Sequence, residues 1–228
     1  MDSGLYFNNN SVSTQNEVLK KTYFLLALSL IPTVLGTVIG MELGIMRGII
    51  NAITPIGFFI AYLVGTFLLF MAIQKAGDTP LGITLLMVFT FISGVVLSTL
   101  VERTLNMPKG GYLIAIAFTG TAAIFGGMSI AAQVIKRDLS FMGKFLFIAV
   151  IALLCGSLVF MLFPSKIFYV VLTVITLILF SAYLLYDLNQ IIQGGETSYV
   201  NATLSVYIDL LAIFRSLLSL LGIMSNDD

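Results

Sequence analysis

Along most of this chain the polar positions fall in short clusters and the apolar ones in long unbroken runs. Seven such runs recur, at about Thr22 to Met41, Ala52 to Ile73, Thr79 to Val101, Tyr112 to Val134, Phe141 to Phe163, Ile167 to Leu185 and Val200 to Ile223. At roughly twenty residues apiece, they are long enough to cross a hydrocarbon core of about 30 Å. They lack the period-two alternation of membrane barrel strands, and irregular backbone facing lipid leaves polar groups unpaired, so each run predicts a helix. The fold class is all-α, a polytopic membrane protein with seven transmembrane helices. Short connections make consecutive helices antiparallel neighbours. Residues 1–21 read as a polar, flexible N-terminal tail and residues 22–228 as the transmembrane domain. No small-residue cleavage pattern marks the first run, so it is expected to remain as a span rather than leave as a signal peptide.

Composition strengthens this reading, because 59% hydrophobic and 10% charged residues with a mean hydropathy of +1.07 lie far from the balance of a soluble domain. Lipid is the first partner implied. A net charge of +0, with no basic cluster beyond Lys136, Arg137 and Lys144, gives no electrostatic footprint for nucleic acid. Histidine is absent, which excludes Ser-His and Cys-His nucleophile pairs and His-ligated zinc or haem, so no resident cofactor is expected. Proton chemistry then falls to carboxylates. The lone Cys155 has no disulfide partner and is expected to pack as a small hydrophobe.

Nearly all ionisable residues sit at span ends or in loops, where anchoring and snorkelling account for them. With a cytoplasmic N-terminus, that side carries Lys20, Lys21, Lys75, Lys136, Arg137 and Lys144, against Arg47, Arg103, Lys109 and Lys166 opposite. The excess favours N-terminus inside. Three charges remain within spans: Asp187, Asp209 and Arg215. An aspartate at a helix centre costs about 2.5–3.5 kcal/mol on insertion scales, so it faces a bundle interior and has a partner.

Counting by three and four along the sixth span gives Thr173, Thr176, Phe180, Tyr183, Asp187 and Gln190, and along the seventh Ala202, Ser205, Asp209, Ala212, Ser216 and Ser219. Small and hydroxyl residues of this kind also let membrane helices approach closely without further function. The glycines of "QGGE" stop one helix and Thr197 or Ser198 can cap the next, so the spans form a hairpin. If the helices end near Gln193 and restart near Asn201, the two carboxylates lie roughly 9 and 12 Å below the turn, within reach of each other. Two carboxylates in contact cannot both ionise cheaply in a low dielectric, so one holds a proton and donates a hydrogen bond to the other. Its loss turns attraction into repulsion, which separates the helices or admits a cation. Two carboxylates with hydroxyls, carbonyls and water offer Ca²⁺ a weak site, suited to permeation rather than storage. Tyr183 and Ser205, each four residues before an aspartate, are candidate supporters.

The stretch "FSAYLLYDLNQIIQGGETSYVNATLSVYIDLLAIFRSLLSLLG", with "KRDLSFMGKFL" upstream, resembles the transmembrane Bax inhibitor motif family, also called the Bax inhibitor-1 family. The resemblance implies a seven-helix bundle with a central last helix and a pH-sensitive calcium leak controlled by an aspartate pair, at positions matching Asp187 and Asp209. In the bacterial leak-channel pattern, basic residues ending the second span latch the pair; here that span ends "FMAIQKAG", with only Lys75. The segments "LKKTYFLLALSL" and "GGETSYVNATLSVYI" look like the YccA-type branch, which implies a bacterial inner membrane and modulation of a membrane-bound ATP-dependent protease. The expectation is a non-enzymatic calcium leak gated by Asp187 and Asp209, with Tyr183, Ser205, Arg215 and Lys75 supporting. The alternative is a protease modulator whose aspartates are structural. An intramembrane aspartyl protease is a third class, but "YIDL" lacks the glycine such enzymes carry beside their second aspartate.

Overall fold

Two Thr-Pro dipeptides show how the chain punctuates its apolar runs. Thr54 and Thr79 are N-caps whose hydroxyls accept from Gly57 N and Gly82 N at 3.2 Å, with Pro55 and Pro80 in the first turn, where a missing N–H costs nothing. The computed structural model describes residues 3–225, and among them every regular element is helical. The helices are α1 (Ser3–Glu42), α2 (Ile45–Ala52), α3 (Pro55–Ala76), α4 (Pro80–Leu105), α5 (Gly110–Val134), α6 (Ser140–Leu162), α7 (Lys166–Gln193) and α8 (Tyr199–Ser225). Seven of them, all but α2, are long and apolar enough to cross a membrane.

The seventh span, α8, is the axis of the bundle, packed against α1, α3, α4, α5 and α7. Its Val200, Leu204, Val206, Tyr207, Ile213 and Leu218 are fully buried. In lipid such burial gains little from the hydrophobic effect, so close packing and hydrogen bonds hold the helices together. The most extensive contact joins α1 to α4. There a Cβ on Gly36 would strike the carbonyl oxygen of Phe91, and one on Gly94 that of Thr33, so backbone meets backbone. Thr37 Oγ1 donates across the seam to Gly94 O at 3.1 Å. The seam has a sequence signature, small residues four apart on both helices, Gly36 and Gly40 on α1 and Gly94 and Ser98 on α4.

Three features depart from expectation. The polar stretch assigned to a tail is helical from Ser3, and its last part is packed: Val18 is buried, and Lys21 pairs with Glu17 at 2.8 Å and lies over the Tyr199 ring. The connection before the second span contains the short helix α2, opened by Gly44 in the left-handed region at φ 59°. It buries Met46 while Arg47 pairs with Glu102 of α4. Cys155 is exposed instead of packed, because α6 lies at the periphery on α7 and turns its outer face to the lipid region.

Candidate functional site

The end of α7 and the start of α8 are set by their turn. Gly194 adopts φ 79°, a left-handed conformation that suits glycine, and Gly195 N closes the helix on Gln190 O at 2.8 Å. A Cβ on Gly194 would also lie 2.7 Å from the Gln15 side chain of α1. Ser198, one of the two predicted caps, accepts from Asn201 N at 3.2 Å. It donates to Asp78 Oδ1 at 2.7 Å, and the same carboxylate oxygen accepts from Val200 N at 3.0 Å. The α3–α4 connection thus supplies part of the cap of α8.

This hairpin brings Asp187 and Asp209 near enough for their carboxyl groups to interact. Asp209 is 3% exposed, and its Oδ2 has no hydrogen-bond partner among the described residues. A cavity of about 180 Å³ is lined by Asp187 but not Asp209, together with Gln190, Glu196 and Ser205 among others. That volume accommodates water, and the lining offers it polar partners. Glu196, near enough to Asp187 for their charges to interact, is a third carboxylate at the site which the sequence reading treated only as a loop charge.

The supporting residues divide. Ser205 lines the cavity, and Tyr183 is half-buried, near both aspartates, with its ring tilted against Phe180 and edge-on to Tyr186. Lys75 and Arg215 are exposed, and neither is ion-paired with Asp187 or Asp209. Lys75 therefore does not latch the pair in this arrangement. Further along the predicted stripes, Ser219 bonds Tyr169 Oη at 2.7 Å and joins α7 to α8 near their other ends. Thr173 and Thr176 turn back to their own helix carbonyls. Ca²⁺ takes 6–8 oxygens; no group of three or more His, Cys, Asp or Glu suited to a metal occurs among the described residues. The oxygens present fit at most a loosely held, partly hydrated cation.

Two neighbouring networks escaped the sequence reading. Tyr207, fully buried and two residues before Asp209, shares a hydrogen bond with Thr33 at 2.7 Å and packs edge-on against Phe89. Asn189, two residues after Asp187 and also fully buried, accepts from Leu139 N at 3.0 Å and donates to Arg137 O at 3.2 Å and Ile135 O at 3.4 Å. Beside it Gln190 Nε2 donates to Asp138 Oδ1 at 3.2 Å and Ser140 Oγ at 3.0 Å. Hydrogen bonds from the Ser140 hydroxyl, its backbone N–H and Gln190 hold the Asp138 carboxyl below its ordinary range. A polar residue such as Asn189 so near a helix end gives no signal in sequence that its partner is the loop fifty residues earlier.

Residues 15–226 match the family profile described as inhibitor of apoptosis-promoting Bax1. A membrane protein of Vibrio cholerae is 34% identical over 213 residues, 93% of this chain and 92% of its own. A protein of Campylobacter jejuni, Cj0236c, is 36% identical over 215 residues, 94% of this chain and 92% of its own. The Escherichia coli K12 protein named modulator of FtsH protease YccA is 30% identical over 220 residues, 96% of each chain. With seven apolar spans, a central last helix and this coverage from end to end, the chain belongs to the Bax inhibitor-1 family of membrane proteins, on its YccA-like branch.

Proposed function

We propose that this protein modulates a membrane-bound ATP-dependent protease and is not itself an enzyme. The observation that carries the reading is the full-length similarity to a relative named as a modulator of the FtsH protease. One feature of the fold supports it: α1 starts at Ser3, whereas its apolar run starts at about Thr22. The polar residues before that run extend the helix beyond the apolar span, giving a protease an arm to engage. The Lys and Arg excess favours a position for that arm on the cytoplasmic side of a bacterial inner membrane. Deleting residues 2–14 is expected to reduce co-purification of the protease while leaving the detergent-solubilised bundle folded. Co-purification undiminished by the deletion would count against the arm.

A second reading is favoured by the contact of Asp187 with Asp209. A shared proton holds α7 against α8, and its loss opens a weakly binding path for Ca²⁺ beside the 180 Å³ cavity. Here Asp187 and Asp209 are the gate and the transient cation ligands, and Tyr183 and Ser205 shape its surroundings. Both roles are compatible in one chain, with helix separation also changing the surface offered to a protease.

A further inference from the structure

The clamp formed by Asn189 and Gln190 is not required by either reading above. A buried asparagine is retained at the cost of desolvation unless its hydrogen bonds are met, and here its donor and acceptor both serve the connection between α5 and α6. Fixing this loop fixes what it displays. Lys136 and Arg137 are exposed, between the spans that end at Val134 and resume at Ser140, hence at a membrane surface. Lys144 is exposed one turn into α6. The nearby acid in sequence, Asp138, is engaged by Ser140 at 2.8 Å from N and 2.5 Å from Oγ, and by Gln190. None of the three cations forms an ion pair among the described residues. Phe141 and Phe145 beside them are 75% and 73% exposed, and their rings belong at the level where headgroups meet acyl chains.

We propose that the loop Ile135–Ser140, with Lys144, is a binding surface for anionic phospholipid headgroups that Asn189 and Gln190 gear to α7. The chemistry required of the partner is a phosphate lying in the membrane plane beside apolar chains. Lys136, Arg137 and Lys144 meet the phosphate, and Phe141 and Phe145 meet the chains. A headgroup held here bears directly on the turn of α7 that follows Asp187. An acidic protein segment would satisfy the cations but not the two phenylalanines, which require apolar company at the same depth.

The chain has no tryptophan, so Phe141→Trp provides a single reporter in the full-length protein. In vesicles of phosphatidylcholine and phosphatidylglycerol, with one or the other carrying brominated chains, brominated phosphatidylglycerol should quench this reporter more than brominated phosphatidylcholine at equal mole fraction. The same comparison at Phe118→Trp, 61% exposed on α5, should show no preference. Each cation near an anionic surface is worth roughly fivefold in association, so Lys136→Gln with Arg137→Gln should abolish the preference, as should high salt. Asn189→Leu, which frees the loop while keeping all three charges, should weaken the preference in protein that remains folded. Equal quenching by the two lipids, or a preference that survives Lys136→Gln with Arg137→Gln, overturns the proposal; equal quenching would assign the cations to an acidic protein segment.

Discussion

Gly94→Ala should cost the protein much of its stability, although it adds one methyl group in a helix and would ordinarily strengthen it. The added Cβ has nowhere to go, because it meets the carbonyl of Thr33, and a backbone atom cannot rotate aside as a side chain can. Relief requires α1 and α4 to separate, which also stretches the bond from Thr37 to Gly94 O. Overpacking of this kind costs about 3 kcal/mol, and in a chain of this length a thermal midpoint falls by roughly 6–12 °C. Gly94→Val, bulkier and branched, should prevent recovery of a monodisperse bundle in detergent. Gly126 supplies the contrast: a Cβ there meets nothing within 4 Å, so Gly126→Ala should be neutral or stabilising by up to about 1 kcal/mol. Midpoints measured side by side for the two alanine variants decide the matter, and equal tolerance would mean that the α1–α4 seam is not closely packed in the membrane.

Asp209→Asn should remove most of the pH dependence of Ca²⁺ flux and of the spacing between α7 and α8. At low pH the pair holds a proton, and one carboxyl donates to the other. As pH rises that proton leaves, two negative charges face each other in a poorly screened interior, and α7 is driven from α8. The closed packing therefore belongs to acid and the loosened packing to alkaline conditions. Acid also removes the charge that draws the cation, so both effects lower flux in the same direction. Asparagine preserves a donor toward Asp187 and removes the second charge, leaving a contact that no longer turns repulsive. Coupling of a ligand to a conformational equilibrium is usually worth about 5–150-fold, so wild-type flux in proteoliposomes should rise on the order of tenfold from pH 5 to 8 and the variant should stay nearly flat. Spin labels on Ile167→Cys and Met224→Cys, at the ends of α7 and α8 away from their shared turn and both exposed, report the same motion in a Cys155→Ser background. A constant distance across that pH range, or a variant with the full pH response, removes the gate and leaves the aspartates a packing role.

The seven spans were legible because apolar length is a strong signal in lipid, and the facing of Asp187 and Asp209 was legible because a hairpin ties helical spacing to depth. What stayed hidden depends on helices that are not neighbours in sequence. Gly36 and Gly40 are visible as a pattern, but that they meet Phe91, Val95 and Ser98 follows only from the assembled bundle. Asn189 reaches a loop some fifty residues away, and Asp78 helps to cap a helix more than a hundred residues later. The short α2 fell below the length at which periodicity separates a helix from a loop. Cys155 was misplaced because burial habits drawn from soluble cores do not hold for a peripheral helix whose surroundings are themselves apolar.

We propose that this protein acts on a protease in its own membrane. The most direct test is degradation of a membrane substrate by a membrane-bound ATP-dependent protease, reconstituted with increasing amounts of the protein at constant lipid and protease. The degradation rate is expected to change with the amount added and to return toward its starting value when residues 2–14 are absent. A rate that stays the same at every ratio would contradict it.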